Sequence, residues 1–178
     1  MTITISGARL ITMSIQQPVL SASEEQTREL LLSMPFFDAF SNDEIDILAR
    51  HMNFGDIRSG EYLFFEGDRD DYMCFVVHGL LDVLKKSENG EYQVIARLTK
   101  GSTIGEMSIV DKSSRSAAVI ARQPSRIIML TRKGFNRLTS RYPALGIVLL
   151  KKIMRQLSLN MRRTSSRLAD VAGKRSFS

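Results

Sequence analysis

The residues best suited to chemistry are Ile104-Gly105-Glu106-Met107-Ser108-Ile109 and, five residues later, Arg115-Ser116-Ala117-Ala118-Val119. Gly105 removes a side chain where backbone must come close to something else. Residues 106–110 are apolar enough for one helical turn, whose free N–H groups and dipole favour an anion. Arg115 arrives on the far side of a short loop with a planar fork that suits phosphate oxygens. Ser116 adds a hydroxyl, and the stretch at Ala117 adds a small wall with free amides. Glu106 is the odd member, since a carboxylate beside a phosphate is repulsive. It makes sense if the ligand also presents hydroxyl donors, as a ribose does. Anion, sugar and base then follow in order, which describes a nucleotide with a small phosphate group.

Positioning these groups takes a scaffold, and the sequence outlines one. Between residues 53 and 131, short apolar segments recur between turn signals such as Ser59-Gly60, Gly67-Asp68, His78-Gly79 and Lys100-Gly101. That spacing predicts an antiparallel sandwich or barrel. Leu81 and Val83 alternate with Leu80, Asp82 and Leu84 ahead of the hairpin signal Asn89-Gly90. Beyond it, Tyr92, Val94, Ala96 and Leu98 alternate with Gln93 and Arg97. Residues 117–121 and 126–130 are further strand candidates, as is the segment holding Tyr72, Phe75 and Val77 around a buried, inert Cys74. Two short helices precede this region, signalled by capping boxes at Ser23-Glu24-Glu25-Gln26 and Ser41-Asn42-Asp43-Glu44. Ile45, Leu48, Ala49 and Met52 form the inner face of the second. A helix with Phe135 and Leu138 follows Thr131. Pro143 opens a last helix to about residue 168, with Leu149, Ile153, Leu157, Met161 and Leu168 on one stripe.

The fold class is therefore α+β: an antiparallel β-roll, jelly-roll-like (a double-stranded barrel), flanked by N-terminal helices and a long C-terminal helix. The expected divisions are a flexible segment over 1–22, helices and roll over 23–140, the long C-terminal helix over 141–170, and a tail over 171–178.

Composition removes several alternatives. At 43% hydrophobic and 25% charged, wholesale disorder is excluded. One cysteine excludes a disulfide scaffold, and two histidines leave little for a metal centre. No apolar run reaches the roughly 18–20 residues of a membrane span, and residues 1–20 do not read as a secretory signal. A cytoplasmic location is expected. Residues 151–178 hold eight Lys and Arg against Asp170, while the other 150 residues carry 17 basic and 18 acidic groups. The net +6 thus belongs to the C-terminal segment, where it fits a solvated helix end.

The spaced elements Gly105-Glu106 and Arg115-Ser116-Ala117, with Gly60-Glu61-Tyr62-Leu63-Phe64, Gly67-Asp68, Gly79 and Gly101 upstream, resemble the cyclic nucleotide-binding domain family over roughly residues 30–168. The resemblance implies a non-catalytic sensor whose ligand is cyclic AMP, or less readily cyclic GMP, with no cofactor and no metal. It implies that Glu106 accepts from the ribose 2′-hydroxyl and that Arg115 pairs with the cyclic phosphate. Amides around Gly105, Met107 and Ala117 would complete the cradle, with Ser116 on phosphate or base and Val83 and Ile95 under the base. The last helix, as in catabolite activator-like members, would form a homodimer and close over the purine near Leu157, Asn160 and Met161. DNA-reading members append a helix-turn-helix after that helix. Only ten residues follow Leu168 here, so no such module is expected in this chain. Two other functions stand beside this one. A degenerate fold would serve as a protein-interaction scaffold, and a cupin-like metal enzyme would need histidine ligands that His51 and His78 do not supply.

Overall fold

The computed structural model describes residues 24–87, 89–111 and 113–175, with side chains as far as residue 166. Ser23, the 1–22 segment and the end of the tail lie outside the described residues, as do the side chains of Leu168 and the basic residues after it.

Helices α1 (Glu24–Leu32) and α2 (Asn42–Ala49) are the two expected ahead of the sheets. Ser41 caps α2 with both halves of the capping box, its side chain accepting from the Glu44 amide and its own amide donating to Glu44. Ile45, Leu48 and Ala49 are buried, as helical spacing requires; Met52, expected on the same helix face, is buried too but lies beyond the end of α2. Between the helices a 3₁₀ turn over Pro35–Phe37, unforeseen from the sequence, inserts Phe37 into the core against Phe75.

Eight strands follow: β1 (Asn53–Ile57), β2 (Tyr62–Phe64), β3 (Tyr72–His78), β4 (Leu81–Lys86), β5 (Tyr92–Leu98), β6 (Thr103–Ile104), β7 (Ala118–Ala121) and β8 (Ser125–Thr131). They form two antiparallel four-stranded sheets, ordered β1-β8-β3-β6 and β2-β7-β4-β5. The central residues of β3 (73–77) and of β8 (127–130) are apolar because both faces of these strands are covered. Met73, Phe75, Ile128 and Leu130 pack on the helices, while Cys74, Val76, Ile127 and Met129 point into the roll. β4 is likewise buried on both faces, with Leu81 and Val83 inside the roll and Leu84 on the outer side with Ala118 and Ile120.

β5 departs from the expected alternation. Val83 pairs with Ala96 but Leu84 pairs with Val94, so Ile95 is an extra residue in the ladder. The bulge reverses parity: Ala96 and Leu98 pack against the roll core, while Tyr92 and Val94 fall on the other face and are exposed. The single face read from Tyr92, Val94, Ala96 and Leu98 is therefore two faces.

After β6 comes a single turn, α3 (Met107–Val110); after β8 come α4 (Arg132–Arg141) and α5 (Pro143–Arg175). Pro143 is the first residue of α5, which runs beyond the expected end near residue 168. Leu145, Leu149 and Ile153 bury its first half in the helical core. From Met154 onward it carries the exposed side chains Met154, Leu159 and Met161. No helix among the described residues is long and apolar enough to cross a membrane.

Candidate nucleotide site

Nine residues singled out from the sequence line one cavity of about 510 Å³: Gly105, Glu106, Met107, Arg115, Ser116 and Ala117 from the cassette, Val83 and Ile95 from the roll, and Asn160 from α5. Val83 is buried on the floor, whereas Ile95, pushed out by its bulge, is half exposed at the rim. A larger groove of about 760 Å³ lies at His51, Asp71, Lys133 and Arg137, away from these residues. The smaller cavity is the stronger candidate because buried groups of opposite charge converge on it.

Gly105 makes the turn possible. Its φ of +81° lies in the left-handed region, and a Cβ there would stand 2.3 Å from Arg115 Nη1 and 3.0 Å from the Tyr72 carbonyl oxygen. The close approach inferred from the sequence is thus made to the protein's own arginine.

Arg115 is only 5% exposed. Nη1 donates to Ser108 Oγ at 3.0 Å and Nη2 to the Tyr72 carbonyl at 2.8 Å. The guanidinium stacks on the Phe64 ring at 4.0 Å and the Tyr72 ring at 4.5 Å. Nε has no hydrogen-bond partner, and its nearest carboxylate oxygen is Asp70 Oδ2, at 3.5 Å. Backbone bonds hold the segment in place: the Arg115 amide donates to Asp68 and the Gly67 amide donates to the Arg115 carbonyl, both at 2.8 Å. The upstream Gly67-Asp68 turn is therefore part of the site.

Glu106 is also buried, yet it does not pair with Arg115 or with any other cation among the described residues. Its Oε1 accepts from Thr103 Oγ1 and, at 3.1 Å, from Asn160 Nδ2. Burial shapes the neighbouring titrations. Desolvation raises the Asp70 carboxyl, with Arg115 pulling the other way. The Tyr72 hydroxyl and the Cys74 thiol are raised for the same first reason, so Cys74 is an inert structural thiol.

Sequence reasoning gave no role to Thr103 and Ser108, which lie within seven residues of the side chains they bond, and missed Asp70, Tyr72 and Phe64, which reach Arg115 through space from another strand or turn with no local spacing to announce it. Among the described residues no group of three or more His, Cys, Asp and Glu side chains is placed to hold a metal ion.

This geometry agrees with comparison to known proteins. The family model for the cyclic nucleotide-binding domain matches residues 55–142. A crystal structure of a cyclic nucleotide-binding domain from Methylobacillus flagellatus superposes with a TM-score of 0.73 at 30% identity, covering 83% of each chain. The chain belongs to the cyclic nucleotide-binding domain family. The cyclic AMP receptor protein of Thermus thermophilus is 25% identical over 123 residues, 69% of this chain and 57% of that protein. The human hyperpolarization-activated cyclic nucleotide-gated channel 1 is 29% identical over 116 residues, which are 65% of this chain but 12% of the channel. The chain thus spans only part of each of these relatives' length. Domains of this family are generally regulatory rather than catalytic.

Proposed function

We propose that this domain senses a cyclic purine nucleotide, cyclic AMP in preference to cyclic GMP, and passes occupancy on through α5. The observation that carries this reading is a buried Glu106 and a buried Arg115 that face one cavity without pairing with each other. A cyclic nucleotide offers each its complement, a ribose hydroxyl for the acid and a monoanionic phosphate for the arginine. Gly105, Met107, Ser116 and Ala117 would complete the phosphate cradle, and Val83 and Ile95 would support the base.

The adenine preference rests on relatives. The Thermus thermophilus protein is named for cyclic AMP, and a Toxoplasma gondii protein kinase A regulatory domain with the same fold, at 22% identity, was crystallised with cAMP. Mechanistically, phosphate binding compacts the Gly105 to Arg115 loop and α5 packs over the base, shifting a population of lid positions. On this reading residues 23–140 bind, 141–170 report, 1–22 and 171–178 flank them, and the protein works in the cytoplasm. The exposed Met154, Leu159 and Met161 of α5 would meet a second copy in a homodimer.

A specific observation keeps a second reading in play. A Trypanosoma cruzi regulatory subunit of a cAMP-independent protein kinase A shares this fold at 21% identity and was solved bound to guanosine. A neutral nucleoside, however, gives Arg115 no anion. A thermal-shift panel of cAMP, cGMP, guanosine and linear AMP separates the readings. A cognate ligand at 100 times its dissociation constant adds about 2.7 kcal/mol, or roughly 5–10 °C for a chain of this size. Stabilisation by guanosine alone, or by none of the four, would overturn the proposal in favour of a nucleoside-binding or scaffold domain.

A further inference from the structure

Glu106 divides its two oxygens between different tasks. Oε1 takes both donors, Thr103 Oγ1 from the strand just before the turn and Asn160 Nδ2 from α5. Oε2 takes no hydrogen bond among the described residues, yet it is not one of the sealed, orphaned atoms. A carboxylate has acceptor capacity for about four donors, so one oxygen is held by protein and the other stays available in the cavity. Since a carboxylate only accepts, the Asn160 amide must present its nitrogen to Glu106. Gln156, one turn back on α5, fixes that orientation by donating Nε2 to Asn160 Oδ1 at 3.4 Å. Among the described residues, Asn160 to Glu106 is the only side-chain hydrogen bond joining α5 to the cassette.

We infer that Asn160 is a positioning residue for sugar recognition: it steers Glu106 Oε2 toward the ribose 2′-hydroxyl and so couples docking of α5 to the sugar, not to the purine. The inference rests on the cyclic nucleotide reading above and differs from the expected purine contact. To face a base, the Asn160 amide would have to release Glu106. Because ligand hydroxyl and lid amide share one carboxylate, each orders it for the other, and the coupling is reciprocal.

The test is calorimetric titration of the full chain and its Asn160→Ala and Gln156→Ala variants with cAMP, 2′-deoxy-cAMP and cGMP. Asn160→Ala should weaken cAMP and cGMP by the same factor, roughly 5- to 10-fold for an indirect loss of a charged hydrogen bond. Binding of 2′-deoxy-cAMP should not change. Gln156→Ala should show the same pattern at smaller size, and Asn160→Ala should add nothing in a Glu106→Ala background. Asn160 is surface-accessible, so melting temperatures close to wild type should certify folding. Equal losses for ribose and deoxyribose ligands would reduce Asn160 to general lid packing, and unequal losses for cAMP and cGMP would make it a purine contact. Either result, or no loss, overturns the inference while leaving the site assignment standing. A wild-type chain that binds none of the three ligands overturns both.

Discussion

Asp82 and Glu106 are both buried carboxylates on the β-roll, and the protein treats them oppositely. Asp82 on β4 is 2% exposed and lies between two arginines, with Arg122 Nε at 2.6 Å and Arg97 Nε at 3.3 Å. It closes a structural cluster: Arg122 anchors the turn after β7, and its carbonyl also accepts from Ser59. Glu106 has only a hydroxyl and an amide as donors, and the nearby cation, Arg115, is turned toward Tyr72, Ser108 and Asp70. Where a buried charge serves only the fold, it is neutralised on the spot. In the cassette, Arg115 has Asp70 at 3.5 Å and Glu106 has only neutral donors, and the two face one cavity without pairing with each other, which on the proposed function leaves both open to a bound molecule. Removing charge from the outer cluster should therefore cost stability, and removing it from the cassette should cost binding.

Arg115→Leu should have the largest effect. Losing a buried charge from a paired recognition contact costs roughly 2–5 kcal/mol of cyclic nucleotide binding, read by calorimetry. Arg115→Lys should recover only part, because an ammonium cannot reproduce the fork that holds Ser108 and the Tyr72 carbonyl at once. Full affinity in Arg115→Leu would break the division between the two regions.

Asp82→Ala comes next. Stranding one partner of a fully buried pair costs about 3–5 kcal/mol. The Arg122 and Arg97 side chains are 34% and 70% exposed and can rehydrate, so about 1–3 kcal/mol of stability is expected. Urea denaturation measures it, and affinity for cyclic nucleotide should not change. A variant that keeps its stability but loses affinity would reverse the comparison.

Glu106→Gln should cost under about 1 kcal/mol of stability, since the amide oxygen still accepts from Thr103 and Asn160. The preference for ribose over 2′-deoxyribose should fall by about 1–2 kcal/mol, because the charged acceptor Oε2 is replaced by an NH2 group that cannot accept from the 2′-hydroxyl. Competition titration with the two sugars reads this directly. An unchanged preference would mean that Glu106, like Asp82, serves the fold.

What was legible in the sequence follows from how local each signal is. The Ser41 capping box, the Asn89-Gly90 hairpin and the Pro143 helix start are decided within four or five residues, and each stands where expected. The cassette was legible because Gly105, Glu106 and Arg115 are close in sequence as well as in space. The bulge at Ile95 was not, because nothing in Tyr92–Leu98 marks the residue at which the ladder slips. Two-faced burial of β4 was also invisible, as Leu84 is covered by Ala118 and Ile120 from a strand more than thirty residues away. Asp70 and Tyr72 joined the site only when β3 was folded against the cassette loop.

The smallest effect belongs to a third ion pair, which calibrates the other two. Arg126 on β8 grips Asp56 on β1 through Nε and Nη2, at 2.6 and 2.7 Å, directly across the ladder. Unlike Asp82, Asp56 leaves 61% of its side chain in water, and Arg126 leaves 36%. The Arg126 hydrogen bond holds the Asp56 carboxyl below its ordinary value, against a smaller opposing push from desolvation. A carboxyl depressed in the folded state contributes stability that is fully present above its unfolded value, near pH ~3.9. That contribution disappears as pH falls through the lower folded value. Solvent screening limits the coupling to about 0.2–1 kcal/mol. A double-mutant cycle with Asp56→Ala and Arg126→Ala should find that coupling at neutral pH, and it should shrink in about 1 M salt and on acidification below pH ~3.9. The Asp82 cluster, screened from solvent at its carboxylate, should keep most of its coupling in the same salt. Equal salt sensitivity at both sites would show that burial of the acid alone does not set the strength of these pairs.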